Sequence, residues 1–322
     1  MRLPTCMLAF LLTALPALAQ SIAPATAPSS SSRPSQPQLS SYFLIPIVGR
    51  LGREVPLSAF AEALAAADEA GALYVLLYVD SPGAEIEDAE RFLHLLISPP
   101  RRVLLAIVRR ADGAAAALPF ACRWVFVSAA GGSSLLASRP EDAKPEELVQ
   151  LRRLLELACA AGERNMAVAS AMGDPDFAVY GDGSGEVAMV PRGPDWRLLK
   201  PSGSVLAITD ENALASGYAD GLYRNLDDLA LRLGISRGWR SAGDHGQVLM
   251  QAAATDYQRQ LRRQLYYRQH RTEIEQLQST SRRLRGELEA LATAPSSARR
   301  TAAEAELAQT LDKLRLHEEK MK

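Results

Sequence analysis

Residues 74–122 read YVLLYVDSPGAEIEDAERFLHLLISPPRRVLLAIVRRADGAAAALPFAC, and this stretch decides the fold. It holds two apolar runs, Tyr74–Val79 and Val103–Val108, both short and rich in branched or aromatic side chains. Runs of that length without polar alternation predict strands covered on both faces. A turn of small residues follows each run, and then a segment with helical spacing. In the first segment, Ile86–Ile97, the apolar positions are Phe92, Leu93 and Leu96; the second is the alanine run 113–122. Pro99 and Pro100 stop the first helix, because proline lacks the N–H that would continue it. Strands alternating with helices at this spacing predict a mainly parallel sheet with right-handed crossovers.

The same alternation continues on both sides. Upstream, Tyr42–Val48 reads as a strand closed by Gly49 and Gly52, followed by a helix with Ser58 as N-cap and Phe60, Leu64 and Ala67 on one face. Downstream, Trp124–Val127 reads as a strand leading into the turn 131–134, and a long helix spans 145–172 with a turn near 162–165. Then come a strand at Phe177–Tyr180, a hairpin over 181–196, a strand at Val205–Ile208 and a helix at Asp210–Ser216. An extended piece at Tyr218–Leu222 and a helix at Leu226–Leu233 complete a domain expected over residues 42–238.

The flanks have different chemistry. Arg2, the apolar run Met7–Leu15 and Ala17-Leu18-Ala19 form the pattern of a signal peptide over residues 1–19. Pro4 and Pro16 bracket a run shorter than the ~20 residues that span a bilayer, so cleavage and export to the periplasm or beyond are expected. Residues 20–41 are Ser, Pro and Ala with almost no charge, which predicts a disordered linker. From 246 to 322, Gly and Pro nearly vanish. Leu261, Leu265, Ile274, Leu277, Leu284, Leu288 and Leu291 keep three- and four-residue steps; after a break at 293–297, Leu307, Leu311 and Leu314 do the same. This predicts a helical hairpin or coiled-coil arm suited to self-association or docking. No transmembrane segment is expected after signal cleavage. The net charge of −1 excludes the electrostatic footprint of a nucleic-acid binder.

Nothing in the spacing calls for a metal or cofactor. The histidines are His94, His245, His270 and His317, with no His-x-x-His pair, and no Cys-x-x-Cys occurs. Cys6 leaves with the signal, and Cys122 and Cys159 lie in apolar surroundings that predict buried thiols. Ser128, Ser133 and Ser134 lack a Gly-x-Ser-x-Gly elbow, and the GDGSG stretch lacks the Lys-Ser/Thr of a phosphate loop.

The order strand–DSPGA–helix–strand–RADGAAAA–helix–CRWVFVS resembles the Clp protease/crotonase superfold, and most closely the NfeD-type, membrane-associated Clp-class serine peptidases. LLELACAAGERNMAVASAMGDPDFAVY and VLAITDENALASGYADGLYRNLDDLALRLG extend the likeness, which covers about residues 42–238. It implies an α/β fold of ClpP/crotonase-like spiral units with a mainly parallel sheet, to which the helical arm is an addition. It also implies that the first turn, Asp80-Ser81-Pro82-Gly83-Ala84, supplies oxyanion donors at Gly83 and Ala84, with Ala114 contributing from the second. Counting back from Ala121-Cys122-Arg123 places the family's nucleophilic serine at Gly113, and its general-base lysine falls at about Lys144. Glycine carries no nucleophile, and no Ser, Thr or Cys occurs between Val103 and Phe120. The resulting expectation is an exported, catalytically silent relative. It binds an extended peptide or protein partner and assembles with itself or another chain through the arm. Two alternatives stand beside it: an active Clp-class peptidase with a non-standard nucleophile, and a crotonase-type acyl-CoA enzyme.

Overall fold

The computed structural model describes residues 40–98, 103–128, 134–136, 145–204, 206–235, 239–292 and 298–321. The expected signal peptide, nearly all of the linker, the prolines at 99–100, Lys144 and the helix break at 293–297 lie outside these residues. Strand β1 spans Ser40–Val48 and so takes in the last two residues of the expected linker. Helix α1 covers Leu57–Glu69, β2 Tyr74–Ser81, α2 Ile86–Ile97 and β3 Val103–Ala111. After β3 come a 3₁₀ turn at Gly113–Ala116 and a single-turn helix α3 at Ala117–Phe120. Strand β4 is Trp124–Ser128 and β5 Ser134–Leu136; α4 runs Pro145–Ala161 and α5 Met166–Gly173.

Three short strands follow, β6 at Val179–Gly181, β7 at Val187–Ala188 and β8 at Arg197–Lys200, and they form a separate antiparallel sheet. Strand β9 is Ala207–Thr209, β10 Gly221–Tyr223, α6 Leu226–Arg232 and β11 Trp239–Ser241. The chain ends in α7, His245–Ala290, and α8, Ala298–Lys320. The main sheet has the order β10-β4-β3-β2-β1-β11, all neighbours parallel, with β5 and β9 branching from the end of β3. The α/β class and the mainly parallel sheet are as expected.

Period-2 geometry sorts the sheet residues into two cores. Val75, Leu77 and Val79 of β2 face α1–α5 and pack with Phe60, Phe92 and Phe120. Leu76 faces the other way, with Leu105, Ile107, Phe126 and Leu229 of α6. Burial on both sides is why these strands read as continuous apolar runs.

Several expectations change in detail. Ser58 does not cap α1: the position before the helix is Pro56, and no side chain caps it. The helix expected over 113–122 is only the 3₁₀ turn and one α-turn, completely buried from Ala114 to Phe120. The helix expected over 145–172 breaks into α4 and α5, because the Asn165 side chain accepts from the Ala167 N–H and starts a new helix. The helix expected at Asp210–Ser216 is a series of turns. There Asn212 accepts from the Thr209 N–H and donates to Ala207 O, the local side-chain bonding that competes with a helix.

At the C-terminal side the sheet continues past Gly238, since β11 pairs with β1. Helix α7 begins packed on the domain: a Cβ on Gly246 would lie 2.4 Å from the Phe43 ring, and Met250 is buried in the main core. Farther along, α8 runs antiparallel to α7, as Arg299–Glu287, Arg283–Glu306 and His317–Glu273 pairs show. The buried positions follow the leucine stripe only in part. Leu265 and Leu311 are exposed, whereas Ile274, Ser281 and Leu284 of α7 and Ala303, Thr310 and His317 of α8 are buried.

Candidate functional site

The carboxyl ends of β2 and β3 lie side by side, the place where parallel sheets offer their loops to ligands. The two turns are joined directly, because Asp112 N–H donates to Ser81 O at 3.1 Å. Asp80 is buried just below and holds Arg109 at 2.5 Å and Arg110 at 3.2 Å, which fixes the register at the end of the pair. Ser81 is fully buried; its hydroxyl donates to Gly83 O and accepts from Gly83 N–H. That bond engages one of the expected oxyanion donors inside its own turn, at 3.3 Å. Gly83 O also accepts from Leu51 N–H, which ties the turn to the loop after β1.

Gly113 has φ +55°, a left-handed conformation that favours glycine. A Cβ built there meets nothing within 4 Å, so the corner opens into free space. Gly83, Ala84, Gly113 and Ala114 line one cavity of ≈ 440 Å³, closed on the far side by Leu148 and Leu151 of α4. Its charged rim consists of Arg50, Glu85, Glu87 and Glu147, with Arg50 2.9 Å from Glu85. The structure therefore brings together four of the five residues named from sequence; the fifth, Lys144, lies outside the described residues. No hydroxyl, thiol, imidazole or lysine ammonium is among the described residues of the lining. What the lining offers is apolar contact, glycine backbone and a rim of both charge signs.

Sequence reasoning missed two polar centres. At the other end of the sheet, Arg164 donates to Asp220 at 2.6 Å, to Arg123 O at 3.3 Å and to Tyr218 O. Asp220 in turn accepts from the Val125 N–H at 2.7 Å, so one ion pair binds the start of β4 to the 218–220 turn. Gly162 begins this corner: a Cβ there would sit 2.1 Å from Phe120 O. The second centre is Lys200, buried, whose ammonium donates to the carbonyls of Asp174, Pro175 and Phe177. Burial lowers its pKa, but it is a structural clamp and no part of the cavity lining. Neither centre has a local motif, because the partners lie 23 to 56 residues apart.

The thiols are inert by environment. Burial pushes both Cys122 and Cys159 up to about 12, against a smaller opposing pull from Arg164. They donate to Leu118 O and Asn165 O respectively.

No protein-family model and no curated protein sequence matches the chain. Solved structures do. A mutant of the 1510-N membrane-bound stomatin-specific protease is similar over 61% of this chain and 85% of its own, at 14% identity and a TM-score of 0.45. The 1510-N membrane protease specific for a stomatin homolog from Pyrococcus horikoshii covers 60% of this chain and 78% of its own, at 15% identity and TM-score 0.42. The ClpP protease catalytic domain from Plasmodium falciparum covers 56% and 85%, at 12% identity and TM-score 0.37.

Proposed function

We propose that the chain is an exported, non-catalytic relative of the Clp-class peptidases that binds an extended peptide across the carboxyl ends of β2 and β3. The observation that carries this reading is that Gly113, which the family resemblance aligns with the nucleophile, opens on the cavity with no hydroxyl, thiol or amine in the described lining. Acyl transfer needs an activated oxygen, sulfur or nitrogen at that corner. Peptide binding needs only apolar contact, backbone partners and a polar rim. The helical hairpin then serves as the assembly element, with export supplied by the N-terminal leader. The reading with a displaced serine nucleophile has less support, since Ser81 is consumed by its own turn. An acyl-CoA enzyme is disfavoured by export, because such substrates are cytosolic.

The test is fluorescence anisotropy with a labelled unstructured peptide, followed by mass spectrometry of the same sample. Binding without cleavage is expected. Ala84→Phe, which fills the cavity from its half-buried wall, weakens binding by about tenfold while the fold persists. Turnover of the peptide that vanished in Lys144→Ala would sink the reading.

A further inference from the structure

Away from the cavity, three metal-ligating side chains converge where α8 returns along α7. His270 and Glu273 come from one helix, three residues apart on the same face, and His317 comes from the other. One potential ligand atom from each lies within 4.8 Å of the other two. Glu273 stands between the imidazoles, one oxygen 3.4 Å from His270 Nδ1 and the other 3.5 Å from His317 Nε2. Ligands 2.0–2.2 Å from a tetrahedral zinc are separated by about 3.4 Å, and the carboxylate already stands at that spacing from each imidazole, through a different oxygen for each. The sequence showed no metal spacing because the set is shared between two helices.

The ring of His317 is oriented from behind. It is buried between the helices, and its Nδ1 lies 2.8 Å from the Tyr266 hydroxyl. With Nδ1–H donating to that hydroxyl, Nε2 is left with its lone pair toward Glu273, the arrangement in which histidines bind metal. Tyr266 also stacks against His270, with ring centroids 4.4 Å apart. A buried histidine is an unusual choice for a helix–helix seam whose neighbours Ala303 and Thr310 are small. Two imidazoles and one carboxylate favour zinc-class ions over magnesium or calcium, which need more oxygen ligands.

We infer that His270, Glu273 and His317 form a zinc-class divalent-cation site that fastens the end of α8 to the middle of α7. Water completes the coordination on the exposed side of Glu273. Holding three residues from two helices, the ion stabilises the paired state of the hairpin over the separated helices.

The experiment titrates the full chain with Zn²⁺ against a chromophoric chelator and follows tryptic release of the α8 terminus in parallel. One ion per chain is expected, with slower proteolysis in Zn²⁺ and no effect of Mg²⁺. Glu273→Gln and His317→Gln each lower affinity more than about tenfold, and Tyr266→Phe lowers it by about tenfold through loss of ring orientation. His94→Gln and His245→Gln leave it unchanged. His270→Gln, at a half-buried position, keeps the test open if His317→Gln unfolds the hairpin. No binding at micromolar Zn²⁺, or binding that survives Glu273→Gln together with His270→Gln, overturns the assignment.

Discussion

The two ends of the main sheet are built on opposite principles. At the amino end of β4, the Arg164 side chain is tied down: it is 7% exposed and bonds to Asp220, Arg123 O and Tyr218 O. At the carboxyl ends of β2 and β3, Gly113 looks into open space and the neighbouring side chains are Ala84 and Ala114. One end is a structural lock that closes the domain; the other is a frame around a vacant corner. Substitutions should therefore damage stability at the first and leave it almost intact at the second.

The largest effect belongs to Arg164. Arg164→Leu leaves Asp220 without its cation and the carbonyls of Arg123 and Tyr218 without this donor, and chemical denaturation should show a loss of about 3 kcal/mol. The figure sits at the low end for a buried pair because Asp220 keeps partial access to water. Gly162→Ala comes next. Its Cβ meets the backbone carbonyl of Phe120, which cannot rotate away, so the midpoint should fall by the equivalent of about 2 kcal/mol. At the open end, Gly113→Ser meets no atoms and bears only the cost of a left-handed serine, about 1 kcal/mol in the same assay. A loss at Gly113 as large as that at Arg164 would erase the contrast.

A further effect is on alkaline stability, and its size depends on pH. Cys122 and Cys159 stay protonated up to about 12 when folded, whereas exposed thiols ionise near 8.5. Between those values the unfolded chain gives up protons that the folded chain keeps, so stability falls as pH rises from about 8.5. Below that pH the contribution is fully present. Replacing both cysteines with alanine should flatten the slope without removing it, since the Tyr218 phenol, also raised by burial, acts in the same direction.

What could be read from sequence follows the same divide between local and distant causes. Strands β2 and β3 and helix α2 were legible because burial on both faces leaves continuous apolar runs, and because prolines end the helix. That Gly83, Ala84, Gly113 and Ala114 meet at one cavity was legible through the two small-residue turns at the carboxyl ends of β2 and β3. The lock at Arg164 was not, because Asp220 lies 56 residues away and no pattern links them. In the hairpin, leucines at the right spacing proved a partial guide. Leu265 and Leu311 face solvent, while Ser281, Thr310 and His317 are buried, because the partner helix and not the composition chooses the seam. Helix boundaries at Ser58 and Asp210–Ser216 failed for local reasons instead: Pro56 precedes α1, and the Asn212 side chain bonds to the backbone of Ala207 and Thr209.

The central claim, that the frame persists without its nucleophile, is tested most directly by treating the folded chain with a fluorophosphonate probe and weighing the intact protein. The account predicts no adduct on the native chain, and acquisition of at most a slow adduct in Gly113→Ser. A rapid, stoichiometric adduct on a single serine of the native chain would contradict it.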